Sequence, residues 1–433
     1  MNRILTTEMW RGEAKWVAAL MAAVGAWYFA SEDPAQSDWI GWWTQTSMNV
    51  QLFGVIVMGS VMSGVAAWGA GRDHRHRTLD WADTAARSGW TRNLVLWLAS
   101  WLWSLLAYAV FTAIAFSRTA AISDVSSPAW TPLLLGASML GLQVAVGVAF
   151  GALLPSRVLA PFVGIAWYGL FVGLAFAPKH WLNHLFPAID EHWDTTFAPS
   201  TGRLLTAAVW CLAAGLCALA IPALKRRSAL GRQAPALIAL TVVAATAGTA
   251  LVVLPPPARD SFWAKPAPQP ARPVCATSGR TTACLWPDDR HLLPRVNAAV
   301  KRLDSGLGKL SGFNRAFYAT GLDLPRGHTA ELPLSSPSES ESDLADSLFS
   351  AALPQPAGGC EPHILKSIGG YPDTFLFEAA VRSRAGAPSE YYGERFGKAL
   401  ERINKAPSAE RDAWIEGAAT RIRGCRPVPS VPR

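Results

Sequence analysis

Apolar residues run in long blocks through the first 254 positions of this 433-residue chain, and a polar, proline-rich sequence follows from Pro255 onward. A helix needs roughly 20 mostly apolar residues to cross the hydrocarbon of a bilayer. Seven stretches meet that length, from about Lys15 to Ala30, Val50 to Ala70, Asn93 to Ser117, Pro132 to Leu154, Val158 to Ala177, Leu204 to Leu224 and Pro235 to Leu254. Trp42, Trp43, Trp90, Trp130 and Trp181 lie near their ends, where amphipathic rings favour the headgroup level. Leu5, Met9 and Trp10 share one helical face, so residues 1–14 are expected as an amphipathic helix lying in the interface. The pattern therefore predicts an α-helical polytopic membrane protein with about seven transmembrane helices in residues 15–254.

Beyond the spans, the prolines of residues 255–273 predict a stiff, extended linker. Residues 274–433 are expected to form a small, mainly helical α+β domain. Pro287-Asp288-Asp289-Arg290 marks a helix start, followed by Leu292, Leu293, Val296, Val300 and Leu303 near helical spacing. Further helices are expected over Ser389 to Ile403 and Ser408 to Ile422. One or two short strands are expected around Asn314 to Tyr318 and Thr374 to Phe377, and the acidic, serine-rich stretch Ser335 to Asp346 reads as a mobile loop.

Charge orients the bundle. With the N-terminus in the cytoplasm, the inner segments hold Arg3, Arg11 and Lys15, then Arg72, Arg75, Arg77, Arg87 and Arg92, then Arg157, then Lys225, Arg226, Arg227 and Arg232. The outer loops hold mainly Arg118 and Lys179, with seven acidic residues. Basic residues favour the cytoplasmic side, and seven crossings then leave residues 274–433 outside. The net charge of +8 thus records topology rather than affinity for nucleic acid. The expected location is a bacterial plasma membrane. Cysteine placement is an independent guide. Of six cysteines, Cys211 and Cys217 fall in the sixth span, and Cys275, Cys284, Cys360 and Cys425 all follow the last one. Four thiols confined to an external domain suit two disulfides. Three pairings are possible; Cys275 with Cys284 and Cys360 with Cys425 is the favoured one. Zinc is the alternative, but the spacing of the first pair does not match a zinc knuckle.

Candidate chemistry is sparse. The chain has no H-E-x-x-H, G-x-S-x-G or G-x-x-x-x-G-K-[ST] motif, and no catalytic set or bound cofactor is expected. His291, His328 and His363 are isolated; His180 and His184, with Glu191 and His192 nearby, have a helical spacing that could hold a metal, but polar residues at the interface are the simpler reading. No Asp, Glu or Lys lies deep in a span, which argues against ion-coupled transport. Glycine and serine recur in the second and fourth spans, where they permit close helix packing. Gln143 is the clearest polar side chain inside a span and a candidate for lining a translocation path.

The most informative polar stretch joins the second and third spans, GRDHRHRTLDWADTAARSGWTRN. Its basic run Arg75-His76-Arg77, then Thr78-Leu79-Asp80 a dozen residues before the next span, resembles the permease subunits of ABC-2-type ATP-binding-cassette transporters. The amphipathic opening helix and the partly apolar segment Pro178 to Gly202 agree with that resemblance, which covers residues 1 to 227. Arg77 stands where the family often has glycine, and Ala86-Arg87-Ser88-Gly89 lacks its usual proline. The resemblance implies an ATPase-coupling loop comprising Arg72, Arg75, Arg77, Thr78, Leu79, Asp80 and Arg87. It implies ATP and Mg bound on a separate cytoplasmic ABC ATPase, a second permease chain as homodimer or heterodimer, contact with membrane lipid, and export of an amphipathic or hydrophobic substrate. The competing reading is a membrane-anchored sensor or assembly factor whose external domain binds a cell-envelope ligand or protein.

Overall fold

The computed structural model describes residues 2–34, 37–75, 89–123, 127–154, 156, 158–175, 194–225, 264–270, 272–325, 329–334, 336–337, 339–354, 372–385, 390–426 and 428–431, with Val243, Thr246 and Gly248 as single positions. The protein is mostly helical, with a small sheet region. Two compact units can be distinguished: Met1–Asp33, Trp39–Ile122 and Ser126–Ala267 form the first, and Pro34–Asp38, Ser123–Val125 and Pro268–Arg433 the second.

The first unit begins with α1 (Asn2–Arg11) and α2 (Ala14–Ser31). It continues through α3 (Trp43–Ala70), α4 (Gly89–Ala120), α5 (Trp130–Leu153), α6 (Leu159–Ala175) and α7 (Thr201–Lys225). The apolar parts of α3, α4, α5 and α7 are each long enough to cross a membrane, and α6 has a shorter apolar core, Leu159–Leu174. Helices start earlier than the apolar blocks: α3 takes in Trp43 to Asn49, because Thr46 and Ser47 return hydrogen bonds to Trp42 O and Trp43 O one turn back. Large apolar side chains remain exposed on the bundle, including Trp16, Leu20 and Trp27 on α2 and Phe162, Ile165 and Tyr168 on α6. A surface of this kind suits lipid rather than water. The seventh apolar stretch lies almost wholly outside the described residues; Val243, Thr246 and Gly248 are helical. A Cβ on Gly248 would fall 2.3 Å from Trp210 Nε1, so this position packs on α7.

Trp42, one of the tryptophans expected near a span end, is buried against protein, as is Trp39. The Trp39 ring meets Phe29 edge-on at 5.5 Å, and its indole N–H donates to Glu32 Oε2 at 2.8 Å. Arg118, at the end of α4, caps the C-terminus of α2 by donating to the carbonyls of Phe29, Ala30 and Glu32. Those carbonyls have no partner within the helix itself. A short antiparallel pair, β1 (Phe197–Pro199) with β2 (Ala264–Pro266), joins the start of α7 to the proline-rich linker.

The second unit holds a four-stranded sheet in the order β3-β4-β5-β6, formed by Val274–Ser278, Thr281–Leu285, Ala316–Ala319 and Thr329–Leu332. The first pair is antiparallel and the other two are parallel. The β3–β4 hairpin turns on Gly279 and Arg280, with Gly279 at φ +54°. Asp304 accepts there from Arg280 N at 3.1 Å and Thr281 Oγ1 at 3.0 Å. After a 3-10 turn, Pro287–Leu292, helix α8 (Leu293–Leu307) buries Val296, Ala299, Val300, Leu303 and Leu307 and packs on β3 and β4. The remaining helices are α9 (Glu341–Ala352), α10 (Pro372–Arg384), α11 (Glu390–Lys405) and α12 (Ser408–Arg423). Ser37, from the loop after α2, belongs to this unit, and its carbonyl accepts from Ser336 Oγ at 2.8 Å.

Two expectations for this region are overturned. Thr374 to Phe377 is not a strand but part of α10. Much of Ser335 to Asp346 is not a loop: Ser340 and Asp343 form a capping box that starts α9, each satisfying the other's backbone N–H. Strands β3, β4 and β6 lie beyond the one or two expected, since they are only four or five residues long.

Candidate functional site

The centre of the first unit is built from small residues on two faces of α3. On one face, a Cβ on Gly147 of α5 would fall 2.1 Å from Ser63 O, and one on Gly151 would fall 2.1 Å from Ala67 O. On the other, a Cβ on Gly64 would lie 2.9 Å from Ala160 O of α6, and one on Gly164 the same distance from Ser60 O. Spacing of four residues keeps each set in line along its helix, so the backbones touch. Trp97 and Trp101, stacked with ring centroids 4.9 Å apart, tie α4 to α5 by donating to Gly141 O and Ala137 O at 2.8 and 2.9 Å.

Within α3 the residues Gly54–Met58 form one π-helical turn. Such a turn shifts the hydrogen-bond ladder by one residue and exposes carbonyls to other donors. Gln143 supplies that donor: its Nε2 bonds Val55 O at 2.9 Å, while its own backbone carbonyl accepts from Ser63 Oγ at 2.7 Å. The side chain is fully buried, and Oε1 has no hydrogen-bond partner among the described residues. Gly59 makes room for it, because a Cβ there would fall 1.9 Å from Oε1. Tyr108 is a second buried group whose hydroxyl is unpartnered among the described residues, and Gly54 and Gly136 both make space for its ring. Gln143 therefore bridges α5 to the interrupted part of α3.

A groove of about 610 Å³ opens on the other side of α3. Its walls are Ile56, Val57, Ser60, Val61, Gly64, Val65 and Trp68 of α3 against Ala160, Pro161, Gly164, Ile165 and Tyr168 of α6, with Glu13 and Val17 at its side. The lining is almost wholly apolar.

Of the residues assigned to the coupling loop, Arg72 and Arg75 are described, and Arg77, Thr78, Leu79, Asp80 and Arg87 lie outside the described residues. Both arginines are engaged within the chain. Arg72 Nη2 pairs with Glu8 Oε2 of α1 at 3.1 Å. The Arg75 guanidinium lies 3.9 Å from the centroid of the Trp68 ring and donates to Trp68 O at 2.8 Å. Helix α1 is held in turn by α4, where Trp103 Nε1 donates to Met9 O at 3.1 Å and the Trp10 and Trp103 rings meet edge-on.

In the second unit, Cys275 and Cys284 are cross-strand partners joined by a disulfide, with Cα atoms 4.0 Å apart. Cys425 is also disulfide-bonded, while Cys360 lies outside the described residues. Cys211 and Cys217, both in α7, take no part in a disulfide. His291 has both ring nitrogens beside carbonyls, Asp288 O at 3.2 Å and Pro337 O at 2.7 Å, so it serves as a structural tie. His328 and His363, like His180, His184 and His192, fall outside the described residues, which contain no cluster of metal-ligating side chains. Arg382 is buried between Glu378 at 2.9 Å and Asp346. Burial alone would lower its pKa, but the two carboxylates hold it above the usual arginine value. No family model matches the chain, and no curated protein or solved structure is significantly similar to it.

Proposed function

We propose that this chain is the permease subunit of an ABC-2-type exporter, with seven spans, a cytoplasmic N-terminus and an extracellular C-terminal domain. The observation that carries the reading is the Glu8–Arg72 ion pair, which links helix α1 to the first residue of the proposed coupling loop. A push on that loop would reach α1, and through the Trp103–Met9 bond would reach α4. The odd number of spans has its own support. The antiparallel pairing of β1 with β2 brings the chain back to the level from which α7 departs. The crossing made by α7 then requires a return crossing, which the apolar stretch Pro235 to Leu254 can supply. ATP and Mg would be bound by a separate cytoplasmic ATPase, and a second permease chain would complete the transporter.

The test is co-purification of the full chain with a cassette ATPase encoded beside it. Reversing charge at Arg77 and Arg87 is expected to release the ATPase while membrane insertion persists; undiminished recovery would remove the coupling role. The second reading, a sensor or assembly factor, is favoured by one observation: the C-terminal domain has its own buried core, from Leu292 to Ile422. A neighbouring gene for a kinase or sigma factor, with none for a cassette ATPase, would select it.

A further inference from the structure

We infer that the groove between α3 and α6 holds one chain of an amine-headed membrane lipid, with the amine on Glu13. The inference rests on the membrane reading above, but not on the presence of an ATPase.

The shape selects a lipid. On α3 the lining runs from Ile56 to Trp68, a length of about 18 Å at a rise of ~1.5 Å per residue. The hydrocarbon core of a bilayer is about 30 Å thick, so the groove has the length of one leaflet. An acyl chain fits that length, whereas a transmembrane helix of a partner would overrun it. The close crossings at Ser60, Gly64, Ala160 and Gly164 fix the groove's floor. Its rim is open, with Val61 38% and Ile165 65% exposed.

The charge selects the headgroup. Glu13 lies between the interfacial helix α1 and α2, at the N-terminus of α2, where the helix dipole favours the carboxylate anion. It belongs to the same end of the bundle as Trp68, because Glu8 and Arg72 pair across that level. The Glu13 side chain makes no hydrogen bond and no ion pair among the described residues and does not cap its own helix. Two cations lie two residues from Glu13: Lys15 is taken up by Trp10 O at 2.5 Å and by the Trp10 and Trp16 rings, and Arg11 forms no ion pair with Glu13 among the described residues. A primary ammonium group would give Glu13 a charge-assisted hydrogen bond, and phosphatidylethanolamine carries that group.

The experiment is native mass spectrometry of the full chain in detergent, with added phosphatidylethanolamine, phosphatidylglycerol or phosphatidylcholine. Wild type is expected to retain one phosphatidylethanolamine about fivefold more readily than either of the others, the discrimination that roughly 1 kcal/mol supplies. Glu13→Gln should still retain a lipid but lose the headgroup preference. Ile165→Trp and Val61→Trp, which add bulk at exposed rim positions, should each lose the lipid while keeping a monodisperse elution profile. Equal retention of the three lipids by wild type, or a preference that survives in Glu13→Gln, would overturn the assignment. So would retention in both tryptophan variants, or a crosslink from position 165 to a second copy of the chain. Loss of ATPase co-purification with lipid retention intact would remove the permease reading alone.

Discussion

Single residues decide where this chain tolerates nothing larger than glycine. Gly279 opens the β3–β4 turn at φ +54°, and an added Cβ would also fall 2.2 Å from Asp304 Oδ2. Gly279→Ala therefore suffers twice, by backbone strain and by losing the carboxylate that holds the turn. We expect it to destabilise the C-terminal domain by about 2 kcal/mol, seen as a lower thermal midpoint. Gln143 is a different case, a polar side chain kept in an apolar bundle for the Val55 carbonyl. Replacing it with Met should cost about 1 kcal/mol, the usual scale for a hydrogen bond between membrane helices. Faster amide exchange should follow around Gly54–Met58; unchanged exchange there would mean that the π-helical turn does not depend on the bond.

Pairs of elements carry the next level of stability. The α3–α5 contact is made backbone to backbone, so Gly147→Leu cannot be absorbed by a rotamer change. We expect that variant to insert normally but to lose cysteine crosslinking between the two helices. The cap that Arg118 places on α2 works at a distance in sequence, and Arg118→Ala should fray the last turn of α2 without affecting α4. In the C-terminal domain, Arg382 joins α10 to α9 through Asp346 and meets Glu378 on its own helix. Arg382→Ala leaves Glu378 unpaired with only 15% of its side chain exposed. The expected loss is about 3 kcal/mol, and a double variant with Glu378→Ala should recover part of it. Additive losses would show that the pair is not coupled.

For the whole molecule, topology and crosslinks are the measurable quantities. A protease added to intact cells should cut the linker after Pro255 and release a fragment of residues 256–433, and protection of that region would reverse the proposed orientation. Removing the Cys275–Cys284 bridge should cost about 2.5 kcal/mol by loop entropy, an upper figure because the hairpin ladder already constrains the same nine-residue separation.

How much of this was legible in advance depends on how local each signal is. Hydrophobic length is a property of contiguous residues, so the positions of α2 to α7 could be read from the chain to within a turn or two. The helical start at Pro287-Asp288-Asp289, which opens as the 3-10 turn leading into α8, and the neighbourhood of Cys275 and Cys284, were equally local. The capping box of α9 was local too, but its acidic serines read as a loop until Leu344, Leu348 and Phe349 had a core to enter. Other features have no local signature. The short parallel strands exist through partners far along the chain, and nothing near Trp39 in sequence foretells its contacts with the Phe29 ring and the Glu32 carboxylate. Which glycines touch which helix, why Gln143 faces Val55, and how Glu8 finds Arg72 are set by the crossing of helices. Composition thus determined which segments leave water, because transfer free energy is summed residue by residue. Tertiary structure alone decided what meets inside the bundle, because packing depends on rotation and depth that no stretch of sequence carries by itself.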